Sequence, residues 1–239
     1  MSTDLVRTAI NNLVEALIPT GSRLAIVEFD TRARRVPLNG SIELQNVDAS
    51  LIPAVSNYLS NDYNPDGDVN ELIGGTNWED ALLTADMVSG GELILILTDG
   101  RPTFYNTSMG MTGVAGEGIL FDLTALKQAQ DAANIVKDQS KHIFVVGLDF
   151  PTQVQPLIDI SGPNQFMNGQ DPVDILSSDF TLIQPTELAG LFGSLGDLCQ
   201  VEVVPTVGEW GVIILALLIM VLSVVALKSS RTASGLRRV

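Results

Sequence analysis

Residues 93–98 read LILILT and are followed at once by Asp99-Gly100-Arg101-Pro102. Five aliphatic side chains in a row leave no polar face, so the run must be covered on both sides. Parallel strands sandwiched between helices provide that cover. The same signature returns at His142–Leu148, HIFVVGL, and between the two runs lies a helical pattern from Leu123 to Lys137. Strand, helix and strand in that order define a parallel crossover unit.

The flanking chain extends the alternation. Leu5, Val6, Ala9, Ile10, Leu13, Val14, Leu17 and Ile18 recur at helical spacing until Pro19-Thr20-Gly21 stops them. LAIVEF at Leu24–Phe29 reads as a further strand, with a turn at Asp30 and a short strand near Arg34–Leu38. Helices are expected over Ala49–Leu59 and Trp78–Met87, a strand at Phe180–Ile183 and a closing helix over Glu187–Leu198. The predicted fold class is α/β, a doubly wound, mostly parallel sheet with helices on both faces. Ligand sites in such sheets lie beyond the carboxyl ends of the strands.

Composition narrows the function. Against 28 acidic residues stand 13 basic ones, a formal net charge of −15, which excludes a simple nucleic-acid backbone binder. A lone cysteine, Cys199, rules out a disulfide framework, and a lone histidine, His142, rules out a His-rich metal site. His142 opens a strand and Cys199 ends a helix; both read as structural.

At the end of the LILILT run, Asp99 points into the crevice and Gly100 permits a sharp turn beside it. Upstream, Gly74-Gly75-Thr76-Asn77-Trp78 presents a hydroxyl at the start of a helix. A hydroxyl and a carboxylate converging on one crevice form half of a site for Mg2+ or Mn2+. In this order, the segments LAIVEFDTRA, GGTNWEDAL, LILILTDGRPT and VVGLDF resemble the von Willebrand factor A (VWA) domain, over roughly Asp4 to Leu198. The resemblance implies a metal-ion-dependent adhesion site in which Thr76 and Asp99 are ligands. Gly74, Gly75 and Gly100 would shape its loops, with Asn77 and Thr103 at the rim. It also implies an earlier strand and a D-x-S-x-S loop, which this chain does not carry; Ser2 and Thr3 are read as helix caps. The expectation is an N-terminally truncated domain with its first central strand missing. Its Mg2+ or Mn2+ would be weakly held or absent, and its function non-enzymatic: binding of an extracellular or periplasmic protein ligand.

Asp62, Asn64, Asp66 and Asp68 follow the opening of a calcium loop, but Ile73 stands where a bidentate Glu is required, so Ca2+ competes with a plain acidic insertion. The stretch from Phe104 to Gly118 carries Gly110, Gly113, Gly116 and Gly118 and reads as a mobile insertion at the ligand face; without GK[ST] it is no P-loop. Asp99, with Glu28 and Asp30 in reserve, leaves a metal-dependent phosphoester hydrolase as the catalytic alternative. A cytoplasmic tail-anchored assembly factor is the third class.

The C-terminus has its own logic. Val212–Leu227 contains one polar residue, Ser223. As a helix it would reach roughly 24 Å, and Trp210, Gly211 and Lys228 would extend it across a bilayer. Lys228, Arg231, Arg237 and Arg238 follow, while Glu202 and Glu209 precede, so the positive-inside bias puts the end of the chain in the cytoplasm and the body outside. VPTVGEWG at Val204–Gly211 resembles the bacterial IPTLxxWG sorting signal, matching at Pro205, Thr206, Trp210 and Gly211. That likeness implies an exosortase-like processing enzyme as a partner. The expected organisation is a VWA-like domain at 1–199, linker and sorting motif at 200–209, a transmembrane helix at 210–228 and a basic cytoplasmic tail at 229–239.

Overall fold

The computed structural model describes residues 3–62, 75–107, 113–116, 118, 120–150, 153–167 and 169–198. The chain divides into two compact units, Met1–Gln200 and Val201–Val239, and every described residue belongs to the first. The sorting motif, the segment 210–228 and the basic tail lie outside the described residues. Among the described residues no helix is long and apolar enough to cross a membrane.

In chain order the elements are α1 (Thr3–Leu17), β1 (Arg23–Leu24), β2 (Val27–Phe29), β3 (Ala33–Arg35), β4 (Gln45–Asn46), α2 (Leu51–Asn61), α3 (Trp78–Asp86), β5 (Leu93–Thr98), β6 (Phe104–Asn106), β7 (Val114–Gly116), α4 (Leu123–Asp138), β8 (His142–Leu148), α5 (Gln155–Ile160), β9 (Gln165–Phe166), β10 (Phe180–Ile183) and α6 (Leu188–Leu198). The main sheet has the order β5-β8-β10-β9, and every pairing in it is parallel. β5 and β8 pair along their length, from Leu93 opposite His142 to Thr98 opposite Gly147.

The alternation of β8 explains the layers. Ile143 and Val145 point into a core built with Trp78 and Leu82 of α3, Ala129, Ala133 and Val136 of α4, and Leu157 and Ile160 of α5. Phe144, Val146 and Leu148 point the other way, onto Val6, Ala9 and Val14 of α1, Val55 and Leu59 of α2, and Leu188 and Phe192 of α6. Successive side chains on a strand face opposite sides, so one apolar run serves both layers. The helix between β5 and β8 starts cleanly: Asp122 Oδ1 accepts the N–H groups of Thr124 and Ala125 at 2.7 and 3.2 Å. This is the mixed α/β architecture, with helices on both faces of a parallel sheet, that the apolar runs predict.

One apolar run departs from its reading. Leu24–Phe29 is not a single strand of the main sheet. It breaks into β1, which pairs antiparallel with β4, and β2, which pairs antiparallel with β3. The Val36 N–H donates to the Ile26 carbonyl at 2.8 Å, and Glu28 stands opposite Arg34 across the hairpin. The segment still runs in the same direction as β5. Arg23 Nη2 donates to the Gly90 carbonyl just before β5, and at the other end the Asn77 N–H donates to Asp30 O while Trp78 Nε1 reaches Thr98 Oγ1. Leu24 and Ile26 join the same layer as Leu95 and Leu97, and Phe29 joins the layer of Ile94 and Ile96.

β5 is therefore an end strand of the main sheet among the described residues. The His142 N–H donates to Glu92 O at 2.8 Å. In a parallel ladder that assigns the backbone groups of Ile94, Ile96 and Thr98 to β8 and turns those of Leu93, Leu95 and Leu97 to the outer edge. Leu93, at the start of the strand, remains 49% exposed despite its chemistry. The glycine-rich insertion also differs from its reading: among its described residues it contains the antiparallel hairpin β6–β7, with Phe104 opposite Gly116 and Asn106 opposite Val114.

Candidate functional site

The carboxyl edge of β5 is shaped by Thr98, whose side chain is buried. Its hydroxyl donates to the Gly100 carbonyl at 2.9 Å and accepts from Trp78 Nε1 at 3.3 Å. The hydroxyl, not the neighbouring carboxylate, holds the turn, so Asp99 is left exposed to solvent. Gly100 is not there for an unusual backbone angle, since it is absent from the positive-φ glycines. Its role is close approach: a Cβ at that position would lie 3.3 Å from Thr76 Oγ1. The structure thus brings Thr76 against the turn that carries Asp99.

Two loops are stitched together at this lip. The Thr76 N–H donates to Thr103 Oγ1 at 2.9 Å, and the Thr76 carbonyl accepts the N–H groups of Thr103 and Phe104 at 2.9 and 3.2 Å. Gly75 lets the Phe104 ring lie across the loop; a Cβ there would sit 2.1 Å from a ring carbon. Gly74 lies outside the described residues. Asn77 and Thr103, expected at the rim, are buried instead at 0% and 8% exposure. Asn77 Oδ1 accepts the Asp80 N–H and caps α3, while its Nδ2 donates to Thr31 O at 3.0 Å and Asn106 Oδ1 at 3.2 Å. Both residues build the loops beneath the rim and do not present themselves to a ligand.

Below Asn77 lies a polar knot that the sequence does not announce. Asp80 Oδ2 accepts the Ala33 N–H at 2.7 Å and Oδ1 accepts Asn106 Nδ2 at 3.2 Å. Glu79 Oε2 accepts the Asn106 N–H at 2.7 Å. Burial pushes the Glu79 carboxyl above the ordinary glutamate range and the Asp80 charge adds to this; the Asn106 N–H pulls the other way. The knot fixes hairpin β2–β3, the start of α3 and hairpin β6–β7 relative to one another.

As a cation site, the lip is incomplete. Thr76 and Asp99 offer a hydroxyl and a carboxylate, whereas Mg2+ demands near-octahedral oxygen coordination. Among the described residues no group of three or more His, Cys, Asp or Glu side chains is placed to hold a metal ion. The described residues alone therefore supply only part of a coordination shell for Mg2+ or Mn2+. Of the calcium-loop residues, Asp62 ends α2, its N–H donating to Tyr58 O at 2.9 Å, while Asn64, Asp66 and Asp68 lie outside the described residues. Glu28, the reserve carboxylate of the hydrolase reading, is tied to Arg34 Nε at 2.7 Å in a cross-strand ion pair. His142 Nε2 lies 2.9 Å from Ser178 O, a structural contact.

Two features of the lip had no sequence signal strong enough to find them. Asp149 follows β8 with φ +45°, a left-handed backbone that asparagine and aspartate tolerate better than most residues, and its side chain is exposed. Arg101 lies with its guanidinium carbon 4.8 Å from the centroid of Phe121, and Nη1 donates to Gln153 Oε1 at 2.8 Å.

No family profile matches the sequence, and no curated protein matches it. Solved structures do. Over 82% of the chain, the fold resembles that of the pilus adhesin SpaC from Lactobacillus rhamnosus GG, with a TM-score of 0.55 at 16% identity. The match spans 28% of the SpaC chain. The vWF domain of the type V pili tip protein Mfa5 from Porphyromonas gingivalis is similar over 82% of this chain and 88% of its own, at 12% identity and a TM-score of 0.50. The architecture is VWA-like. At these identities the likeness is one of fold, on which function has to be argued from the site.

Proposed function

We propose that this chain is a non-enzymatic adhesion module that binds another protein at the carboxyl edge of its parallel sheet, around Asp99 and Thr76. The observation that carries this reading is the close packing of Thr76 against Gly100, which sets a hydroxyl and an exposed carboxylate on one lip. That lip lies where open α/β sheets bind their ligands. The VWA-like fold shared with a pilus adhesin and a pilus tip domain supports the same reading. Thr76 and Asp99 supply only part of the oxygen shell that a divalent cation needs, so such a cation is at most weakly held in this chain. The tail extends the proposal: the apolar segment 210–228 anchors the body to a bacterial membrane with the basic end in the cytoplasm, and VPTVGEWG marks it for an exosortase-like enzyme.

The test is retention of the full chain, in detergent micelles, on surfaces coated with fibrinogen, gelatin or casein. The proposal expects retention on at least one surface, lost in Asp99→Ala and weakened in Thr76→Ala with the circular dichroism spectrum unchanged. Retention that survives both substitutions, or none on any surface, would reject it. Turnover of p-nitrophenyl phosphate with Mn2+, lost in Asp99→Asn, would put the hydrolase in its place.

A further inference from the structure

The stretch tied to Pro102, three residues beyond Asp99, is apolar where a solvated loop would be polar. Leu120 is 60% exposed and Leu123 is 73% exposed, with the half-buried Phe121 between them. Their position is built. The Asp122 N–H donates to the Pro102 carbonyl at 3.1 Å, which ties this stretch to the turn after β5, and Asp122 then caps α4. Arg101 lies over the Phe121 ring and donates to the neutral Gln153 amide, so the shelf also carries one positive charge. A rigid aromatic ring with two leucines in the open is the composition of a recognition patch.

Two carboxylates at the lip outnumber the one guanidinium on the shelf. Thr98 pairs with Gly147 across β5 and β8, so Asp99 and Asp149 leave adjacent strands within two positions of each other. Both carboxylates are exposed, and among the described residues neither is held in an ion pair. The chain as a whole carries −15, which draws cationic partners toward it and repels anionic ones.

Resting on the protein-binding reading of this edge, we infer that the partner contributes an extended segment in which a lysine or arginine adjoins a bulky apolar side chain. The apolar group lies on Leu120 and Leu123, and the cationic group pairs with Asp99 and Asp149. The partner's own ammonium or guanidinium meets the carboxylates at the lip, so recognition does not require a metal ion.

The probe is the peptide acetyl-Gly-Lys-Phe-Leu-Gly-amide, with a glutamate-for-lysine version as control. Both are titrated against the full chain in detergent micelles with excess EDTA and followed by isothermal titration calorimetry. The lysine peptide is expected to bind saturably, and Leu123→Ser and Asp99→Asn are each expected to weaken it about tenfold. Ile135→Ser, which alters an apolar residue of α4 that is 50% exposed, should leave binding unchanged. Equal binding of the glutamate peptide, binding only when Mg2+ or Mn2+ replaces EDTA, or equal loss in Ile135→Ser would each overturn the inference. Failure of the peptide while retention on the coated surfaces still depends on Asp99 rejects the partner chemistry and leaves the binding face standing; failure of both rejects the face as well.

Discussion

Asp80→Ala is expected to lower the stability of the domain by about 3 kcal/mol and its melting temperature by roughly 6–12 °C. The carboxylate is 1% exposed and accepts the Ala33 N–H and Asn106 Nδ2. Alanine would leave both half-buried donors without this acceptor, and an unsatisfied group shielded from water loses more than a hydrogen bond gains. The substitution also removes an acidic residue from the first turn of α3, where the helix dipole favours negative charge. Asp80→Asn retains an acceptor oxygen and should lose clearly less. Thermal and urea unfolding followed by circular dichroism measure both. A loss below about 1 kcal/mol for alanine, within the range of an ordinary surface change, would show that the knot does not hold the hairpins.

Trp78→Ala is expected to be more damaging, at about 3–5 kcal/mol, the range for deleting a fully buried large aromatic. The indole is 0% exposed, stacks on Phe150 at 6.4 Å between ring centroids with 25° between planes, and donates to Thr98 Oγ1. Its loss opens a cavity under the lip and frees the hydroxyl that holds the turn of Asp99. Trp78→Phe separates the two effects, because it keeps most of the volume and forfeits the hydrogen bond, for about 1 kcal/mol. If alanine and phenylalanine unfold alike, cavity formation is not what makes Trp78 matter.

How much of this was legible in the sequence depends on which force fixed each piece. β5, β8 and β10 fall at Leu93–Thr98, His142–Leu148 and Phe180–Ile183, as read, because each of these short apolar runs is bounded by polar or turn residues. Leu24–Phe29 looks the same in sequence and folds otherwise, because its backbone partners are β3 and β4, and a one-dimensional pattern does not name partners. The family resemblance sets Asn77 and Thr103 at the rim, and nothing in a one-dimensional pattern shows that they are buried. Only the buried donors and acceptors around them reveal that they serve the loops. Hairpin β6–β7 was hidden by its glycines, which read as looseness. At Gly116, φ is +150° and a Cβ would sit 2.0 Å from Thr103 O, so the glycine there permits two strands to meet closely. Gly100 carries the same lesson, a close approach mistaken for a turn requirement. Short α5, six residues with Pro156 in its first turn, was too brief to show a period.

The claim on which the rest depends is that Thr76 and the turn after Asp99 share one lip. A cysteine pair tests it directly: Thr76→Cys with Gly100→Cys, in a Cys199→Ser background so that no third thiol competes. A hydroxyl oxygen 3.3 Å from the Gly100 Cβ position brings the two side chains within the reach of a disulfide, whose Cβ atoms stand about 3.5–4.5 Å apart. Under mild oxidant the account predicts a cross-link within one chain, reversible by reductant and seen by peptide mass mapping. Two thiols that stay free and fully alkylatable in the folded protein, while a Thr76→Cys and Ile135→Cys control pair behaves identically, would contradict it.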